Sequence, residues 1–282
     1  MMNKIIVVLC EGAHDIAFVN RVLLINGFEN YDKELKSFLN PFGDKFINVL
    51  SNVKIEERKL GFQGPSFEIP SAALKKDNSL VFIHNMGGDG AHRKRQALVK
   101  SYLKLVDSED DVDDFSEYEF QFRFIYFFDA DTIGVDDRLN SISEEVGLDE
   151  IMENGSIYTK EHTEFGAYIF HDTETRLGTL EDTITRIVAE NDGQVVITDA
   201  EAFLARNMLP EHRQKEIRYI DGIPEYRGAI KFSSQKSILN MVGQLQFSGM
   251  NNAAFIRSSD FISAEYVRDC EQCRLINRLF EV

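Results

Sequence analysis

Phe124-Ile125-Tyr126-Phe127-Phe128 runs without a break into Asp129-Ala130-Asp131-Thr132-Ile133-Gly134. Five consecutive apolar residues, four of them aromatic, are the pattern of an interior strand buried on both faces, as in a parallel sheet. Two carboxylates one residue apart close that strand, and a glycine then lets the chain turn into a helix. An unpaired charge left beside a core is destabilising by several kcal/mol, so the pair needs a compensating partner. The carboxyl edge of a central strand is where open α/β sheets hold their ligands. A divalent cation with oxygen ligands is the simplest counter-charge there.

The same arrangement occurs earlier in the chain. Lys4–Cys10 is a second buried strand, and it ends at Glu11-Gly12. A helix follows with Ile16, Val19 and Leu23 on one face and Asn26-Gly27 as its stop. Asp15 lies in the first turn, where it either joins Glu11 at the sheet edge or serves the helix N-terminus. Leu80–His84 is a third buried strand. It leads into Gly87-Gly88 and a basic helix start at His92-Arg93-Lys94-Arg95. A glycine turn ahead of a helix exposes backbone N–H groups to anions, so Gly87, Gly88 and Arg93 are candidate phosphate contacts. Short strands are expected near 156–159 and 167–170. A helix then opens at Leu180, where Thr179 and Asp182 form a capping box and leave Glu181 free for another role.

Strands alternating with helices imply an α/β fold with a mainly parallel central sheet flanked by helices. Residues 1–193 form this domain, with an irregular insertion at about 30–78 that includes a helix near 46–60 and a loop at 61–70. Residues 194–282 form a mostly helical extension packed on the core, with helices near 199–208 and 235–245. No apolar run approaches a membrane span, and the N-terminus has no signal-peptide pattern; the expectation is a cytoplasmic protein without a membrane partner. Cys270 and Cys273 form a lone CxxC, short of the four ligands zinc usually takes. Cys10 reads as a small core residue.

The formal net charge of −16 argues against non-specific coating of nucleic acid. The charge is uneven, however. Asp107–Glu119 holds eight acids and no base, which reads as a solvated loop, whereas Arg206–Lys236 holds seven bases against four acids. Charge therefore leaves nucleic acid, nucleotide, a protein partner and a second copy of the chain all open.

Glu11-Gly12-x-x-Asp15 after the first strand, Gly87-Gly88 after the next and Asp129-x-Asp131 after the third resemble, as an ordered set, the Toprim domain of topoisomerases, bacterial primases and OLD-family nucleases. The EG-x-x-D form and the later Gly178-x-Leu180-Glu181 are most similar to OLD-type nucleases and small stand-alone Toprim-like proteins. The resemblance covers roughly residues 1–190. It implies a Toprim-like Rossmannoid fold holding Mg²⁺ or Mn²⁺ and acting on nucleic-acid phosphodiesters. Glu11 would be a metal ligand or general base; Asp15, Asp129 and Asp131 would be metal ligands; Glu181 would serve a second ion. A later catalytic lysine is expected, with Lys231 the candidate and Lys236 the substitute. The chain has no Walker A sequence, and so no ATPase half.

Two other readings compete. One is a Toprim-like module that binds metal or nucleotide without turnover. The other is a phosphatase of the DxDxT type, with Asp129 as nucleophile; in that family the motif follows the first strand, and here at least two strands precede it.

Overall fold

The computed structural model describes residues 3–53, 67–88, 90–105 and 120–281. The acidic run 107–119, the loop over 61–66 and the distal part of the helix expected near 46–60 lie outside the described residues. By its internal packing the chain divides into two units, one of residues 1–179 with 267–282 and one of residues 180–266.

The first unit is built on a seven-stranded sheet of order β2-β3-β4-β1-β5-β7-β6. Its four interior strands are mutually parallel: β4 (Ser79–Asn85), β1 (Asn3–Cys10), β5 (Phe120–Asp129) and β7 (Thr163–Phe170). These are the continuous apolar runs of the sequence, because each is covered on both faces. Antiparallel strands close both edges: β3 (Ala72–Lys76) with β2 (Glu29–Asn30) at one, and β6 (Ile157–Lys160) at the other. The stretch expected to be an irregular insertion thus supplies β3. It also supplies α2 (Phe42–Ser51), which starts four residues before the expected helix and buries Phe42 and Phe46. Lys75 and Lys76 hid β3, since solvated lysines are usual on strands near a sheet edge.

One sheet face carries α2, α3 (His92–Leu103) and α4 (Val135–Val146) over Phe122, Phe124, Tyr126 and Phe128. The other face carries α1 (Ala13–Ile25) and α10 (Glu271–Arg278). Phe18 of α1 meets Phe170 edge-on, and Phe280 stacks on Phe127 with ring centroids 6.3 Å apart. Alternate residues of one strand therefore serve two cores, the expected use of a period-two element. Cys270, which caps α10, and Cys273 are free thiols; the hydrogen bond between them, then burial, pushes Cys273 up.

At the amino end of the sheet a charged cluster sits under the core. Arg123 Nε donates to Glu164 at 2.6 Å, and its Nη1 donates to the carbonyls of Leu279 and Glu281 at 2.6 and 2.8 Å. Lys4 Nζ lies 3.1 Å from the same Glu164 carboxylate. Burial alone would raise the Glu164 carboxyl, but hydrogen bonds from Arg123 and Lys4 outweigh it and hold it below the usual range. Lys4 is lowered, because burial and the like charge of Arg123 outweigh what Glu164 returns.

The second unit holds α5 (Leu180–Val188), α6 (Gln194–Asn207), α7 (Ser234–Gln246) and α8 (Asn252–Ser258), with the first residues of α9 (Ala264–Asp269). Ile184, Ile187, Ile197, Leu239, Val242 and Phe255 are buried there. Ser233 and Asn251 cap α7 and α8, accepting from the N–H groups of Lys236 and Ala254. A two-stranded ribbon, β8 (Lys215–Ile220) and β9 (Ile223–Ile230), interrupts the helices. Its sequence signal is Asp221-Gly222, a two-residue hairpin turn that the helical reading of this region passed over. No helix among the described residues is long and apolar enough to cross a membrane.

Two measurements test these packing arguments. Replacing Arg123 with Met removes one partner of a buried ion pair and strands two helix-end carbonyls; a loss of about 3–5 kcal/mol is expected, read as a lower urea midpoint at unchanged slope. A loss within error would show that the cluster does not hold α10 to the sheet. His84 is fully buried, with Nδ1 2.9 Å from the Phe67 carbonyl and Nε2 2.8 Å from the Tyr102 hydroxyl. Burial first, opposed by the Phe67 bond, lowers its pKa from 6.5 to about 4. The unfolded chain therefore binds this proton first, so stability is intact above pH 6.5 and falls towards pH 4, by about 3 kcal/mol in all. His84→Gln should flatten that part of the stability profile; an unchanged profile would assign the acid sensitivity to other groups.

Candidate carboxylate site at the sheet edge

The parallel register aligns Cys10 of β1 with Asn85 of β4 on one side and with Phe127 of β5 on the other. Glu11 follows Cys10, and Asp129 ends β5, so both leave the carboxyl edge from neighbouring strands. β1 leads through α1 to β4 on one side of it, and β4 leads through α3 to β5 on the other. The β1/β5 boundary is therefore the point where the winding reverses, the place where doubly wound sheets open a crevice. The helices after β1 and β5, α1 and α4, lie on opposite faces of the sheet.

The Gly87-Gly88 turn joins the same edge. Met86 N–H donates to the Cys10 carbonyl at 2.9 Å, and Gly88 N–H donates to the Glu11 carbonyl at 3.0 Å. Both glycines have positive φ, 75° and 112°, and a Cβ on either would meet open space. The turn thus keeps backbone exposed next to Glu11 in a conformation that side chains disfavour. Arg93 and Lys94 are exposed on the first turn of α3. Arg95 is not available to a ligand: it is buried, pairs with Glu145 through Nη2 at 2.5 Å and Nε at 3.0 Å, and lies 4.9 Å over the Phe128 ring. His92 Nδ1 contacts the same carboxylate at 2.9 Å. Of the basic run, then, Arg93 and Lys94 stay exposed to solvent, while Arg95 belongs to the fold.

The four edge carboxylates differ in their surroundings. Asp15 is buried and accepts from the Gly12 N–H at 2.7 Å, closing the first turn of α1. Burial, then the Asp15 charge, pushes the Cys10 thiol well up, so Cys10 is an inert core residue. Asp129 is half-buried at the end of β5. Asp131 stands at φ 48° with its side chain 43% exposed, and its carboxylate takes Arg138 Nη2 of α4 at 2.7 Å. Its backbone pairs both ways with Gly178, at 2.7 and 2.8 Å. The Gly178 element of the sequence pattern is thereby tied to Asp131, and Glu181 follows three residues along the chain.

In the second unit, Glu181 is buried at 3% side-chain exposure, and Lys236 Nζ lies 3.6 Å from its Oε1. Lys231 is exposed just beyond β9, with its N–H donating to the Gln214 carbonyl at 2.8 Å. The lysine paired with Glu181 is thus Lys236. Sequence spacing did not separate the two; the Ser233 cap does, because it sets the first turn of α7 and with it the place of Lys236.

The donor chemistry suits a hard divalent cation: carboxylate oxygens only. Among the described residues no three His, Cys, Asp or Glu side chains are grouped closely enough to hold a metal ion as they stand. Mg²⁺ needs fewer, since it keeps several waters and is commonly held by one or two carboxylates plus substrate phosphate. Glu11 and Asp129 are the pair best placed by the strand register. A cavity of about 310 Å³ lies elsewhere, between Lys100, Tyr126, Glu145, Lys160 and Phe165, and none of the four edge carboxylates lines it.

No family model matches the chain, and no curated protein matches it. Among solved structures, the crystal structure of hypothetical protein PH0156 from Pyrococcus horikoshii OT3 is similar over 99% of this chain and 100% of that one. The identity is 13% and the TM-score 0.56, a likeness in fold alone.

Proposed function

We propose that the protein carries out Mg²⁺- or Mn²⁺-dependent phosphodiester chemistry on nucleic acid, in a Toprim-like site at the carboxyl edge of the sheet. The observation that supports this most is the position of Glu11 and Asp129 at the carboxyl ends of adjacent parallel strands at the winding reversal, beside the exposed Gly87-Gly88 turn. A cation there would clamp phosphoryl oxygens and lower the pKa of a bound water.

The roles of the chain's own residues follow from their surroundings. Glu11 and Asp129 would hold the cation, and Glu11 would be the group to take a proton from an attacking water. Asp15 keeps the Glu11-Gly12 corner closed through its bond to Gly12, next to Glu11. Asp131, now paired with Arg138, would be a further ligand for the ion. Arg93 is the exposed donor for a phosphate beside the Gly87-Gly88 turn, whose own N–H groups donate to Asn85 Oδ1 and the Glu11 carbonyl. Glu181, with Lys236 beside it, is the residue the resemblance assigns to a second ion. The protein is expected to act in the cytoplasm.

A second reading has its own observation. Arg138 on Asp131 and Lys236 on Glu181 already neutralise two of the carboxylates. That arrangement also suits a module that binds metal or nucleotide without turnover.

Thermal melting separates a metal site from none. Millimolar Mg²⁺ or Mn²⁺ should raise the melting temperature, by the equivalent of about 2.7 kcal/mol when the ion is at a hundred times its Kd. Asp129→Asn should abolish that shift while raising the metal-free melting point, because a like-charge repulsion is removed. No metal-dependent shift in the wild type would rule the site out.

Turnover is read by incubating the protein with plasmid, single-stranded DNA and RNA in Mn²⁺. Cleavage should fall by at least 100-fold in Glu11→Ala and in Asp131→Ala, on the order of what a catalytic proton-transfer group contributes. Cleavage retained in both variants would place the activity elsewhere. A covalent phosphate on Asp129 would assign the DxDxT chemistry instead, and metal binding without cleavage would assign the module.

A further inference from the structure

The β8–β9 ribbon leaves one edge open, and the sequence of that edge specifies what can pair with it. Asp221 and Gly222 have φ of 51° and 78°, both positive as a type I′ two-residue turn requires. In such a hairpin the flanking pair Ile220–Ile223 exchanges both backbone hydrogen bonds, as do Arg218–Glu225 and Glu216–Arg227. Ile217 and Tyr219 alternate with these positions, so their N–H and C=O groups point away from β9. Among the described residues the sheet contains β8 and β9 alone, and Glu216–Ile220 is exposed throughout. An isolated two-stranded hairpin is marginal in water, and an unpaired edge is a template for another strand.

The two edges are not equivalent. On β9 the outward position opposite Tyr219 is Pro224, which has no N–H to give. Further along, β9 carries Gly228 at φ 81°, where the register with Lys215 and Glu216 slips. Proline and a bulge are the usual means of blocking an edge. On β8 neither is present.

The charge pattern of β8 then selects its partner. Glu216-Ile217-Arg218 reads acid, apolar, base. If β8 pairs antiparallel with β8 of a second copy about a two-fold axis at Ile217, each Glu216 faces an Arg218 and the two isoleucines face each other. Centring the axis on Glu216 or Arg218 would set like charges opposite, which is destabilising. Axes between residues would oppose outward groups to inward ones and make no ladder. The chosen register also extends the alternation inside the ribbon, where Glu216 faces Arg227 and Arg218 faces Glu225. On the other face it brings together Ile217, Tyr219 and Tyr226, now 47%, 72% and 43% exposed. The ribbon lies in the basic stretch Arg206–Lys236, so the acidity of the rest of the chain does not meet itself at this contact.

We propose that two copies of this chain associate through β8, forming a four-stranded antiparallel sheet of order β9-β8-β8-β9 about a two-fold axis at Ile217. The contact is independent of the chemistry at the carboxylate edge.

The test is the mass of the full chain in solution, by light scattering on a sizing column at micromolar concentration. The wild type should run at twice the 32.3 kDa chain mass. Ile217→Pro removes an outward N–H and leaves the hairpin's own bonds intact; its mass should halve, with unchanged far-ultraviolet circular dichroism. Glu216→Arg alone and Arg218→Glu alone each set like charges opposite, and each should be monomeric. Mixed in equal amounts, these two variants are complementary at both charge pairs, and the double mass should return. A monomeric wild type overturns the proposal, including one whose ribbon instead retains an oligonucleotide through Tyr219. So does a double mass that persists in all three variants, which would place the contact on another surface.

Discussion

The guanidinium of Arg123 is the contact on which the first unit most depends. One side chain at the start of β5 reaches the neighbouring strand β7 through Glu164 and the end of α10 through two carbonyls. Glu164 in turn holds Lys4 at the start of β1. The amino ends of three parallel strands and the C-terminal helix are thus fixed to one another. Main-chain ladders tolerate fraying at their ends, whereas a buried charge with three partners has no cheap alternative state. Because the strands are parallel and in register, fixing where they begin also fixes where they end, and those ends carry Glu11 and Asp129.

Two kinds of charge pairing divide the molecule. Arg123–Glu164 and Arg95–Glu145 are buried, closely hydrogen-bonded and committed to the architecture. Arg138–Asp131 and Lys236–Glu181 each join a cation to a candidate site acid, and their longer or more exposed geometry is easier to exchange. A surface pair is worth little net, so a divalent ion that meets Asp131 competes against a weak partner. The proposed chemistry and the binding module differ in whether turnover follows.

The parallel strands were legible because burial on both faces writes a run of apolar residues with no helical gap, as in Ile5–Cys10 and Phe124–Phe128. Strand ends were legible for the same reason: Glu11 and Asp129 interrupt such runs abruptly. β3 was not, since Lys75 and Lys76 face solvent near the sheet edge and break the pattern. The ribbon was missed although Asp221-Gly222 marks it, because its strands mix charges with isolated apolar residues and bury little. Which base meets which acid was also out of reach. Arg95 lay in a run of four basic residues, and only the packing of α3 against α4 singles it out for Glu145. Lys236 and Lys231 are alike in sequence; the start of α7 distinguishes them.

The register of β1 against β5 has a consequence for how this chain can drift over evolutionary time. β5 spans ten residues between Phe120 and Asp129. An insertion ahead of Phe120 lengthens only the connection entering the strand. An insertion inside β5 would advance Asp129 by one step and turn its side chain to the opposite face. Descendants of this sequence can therefore change length ahead of Phe120 without moving Asp129. The spacings from Lys4 to Glu11 and from Arg123 to Asp129 are held constant by geometry, whatever happens to the residue types between them.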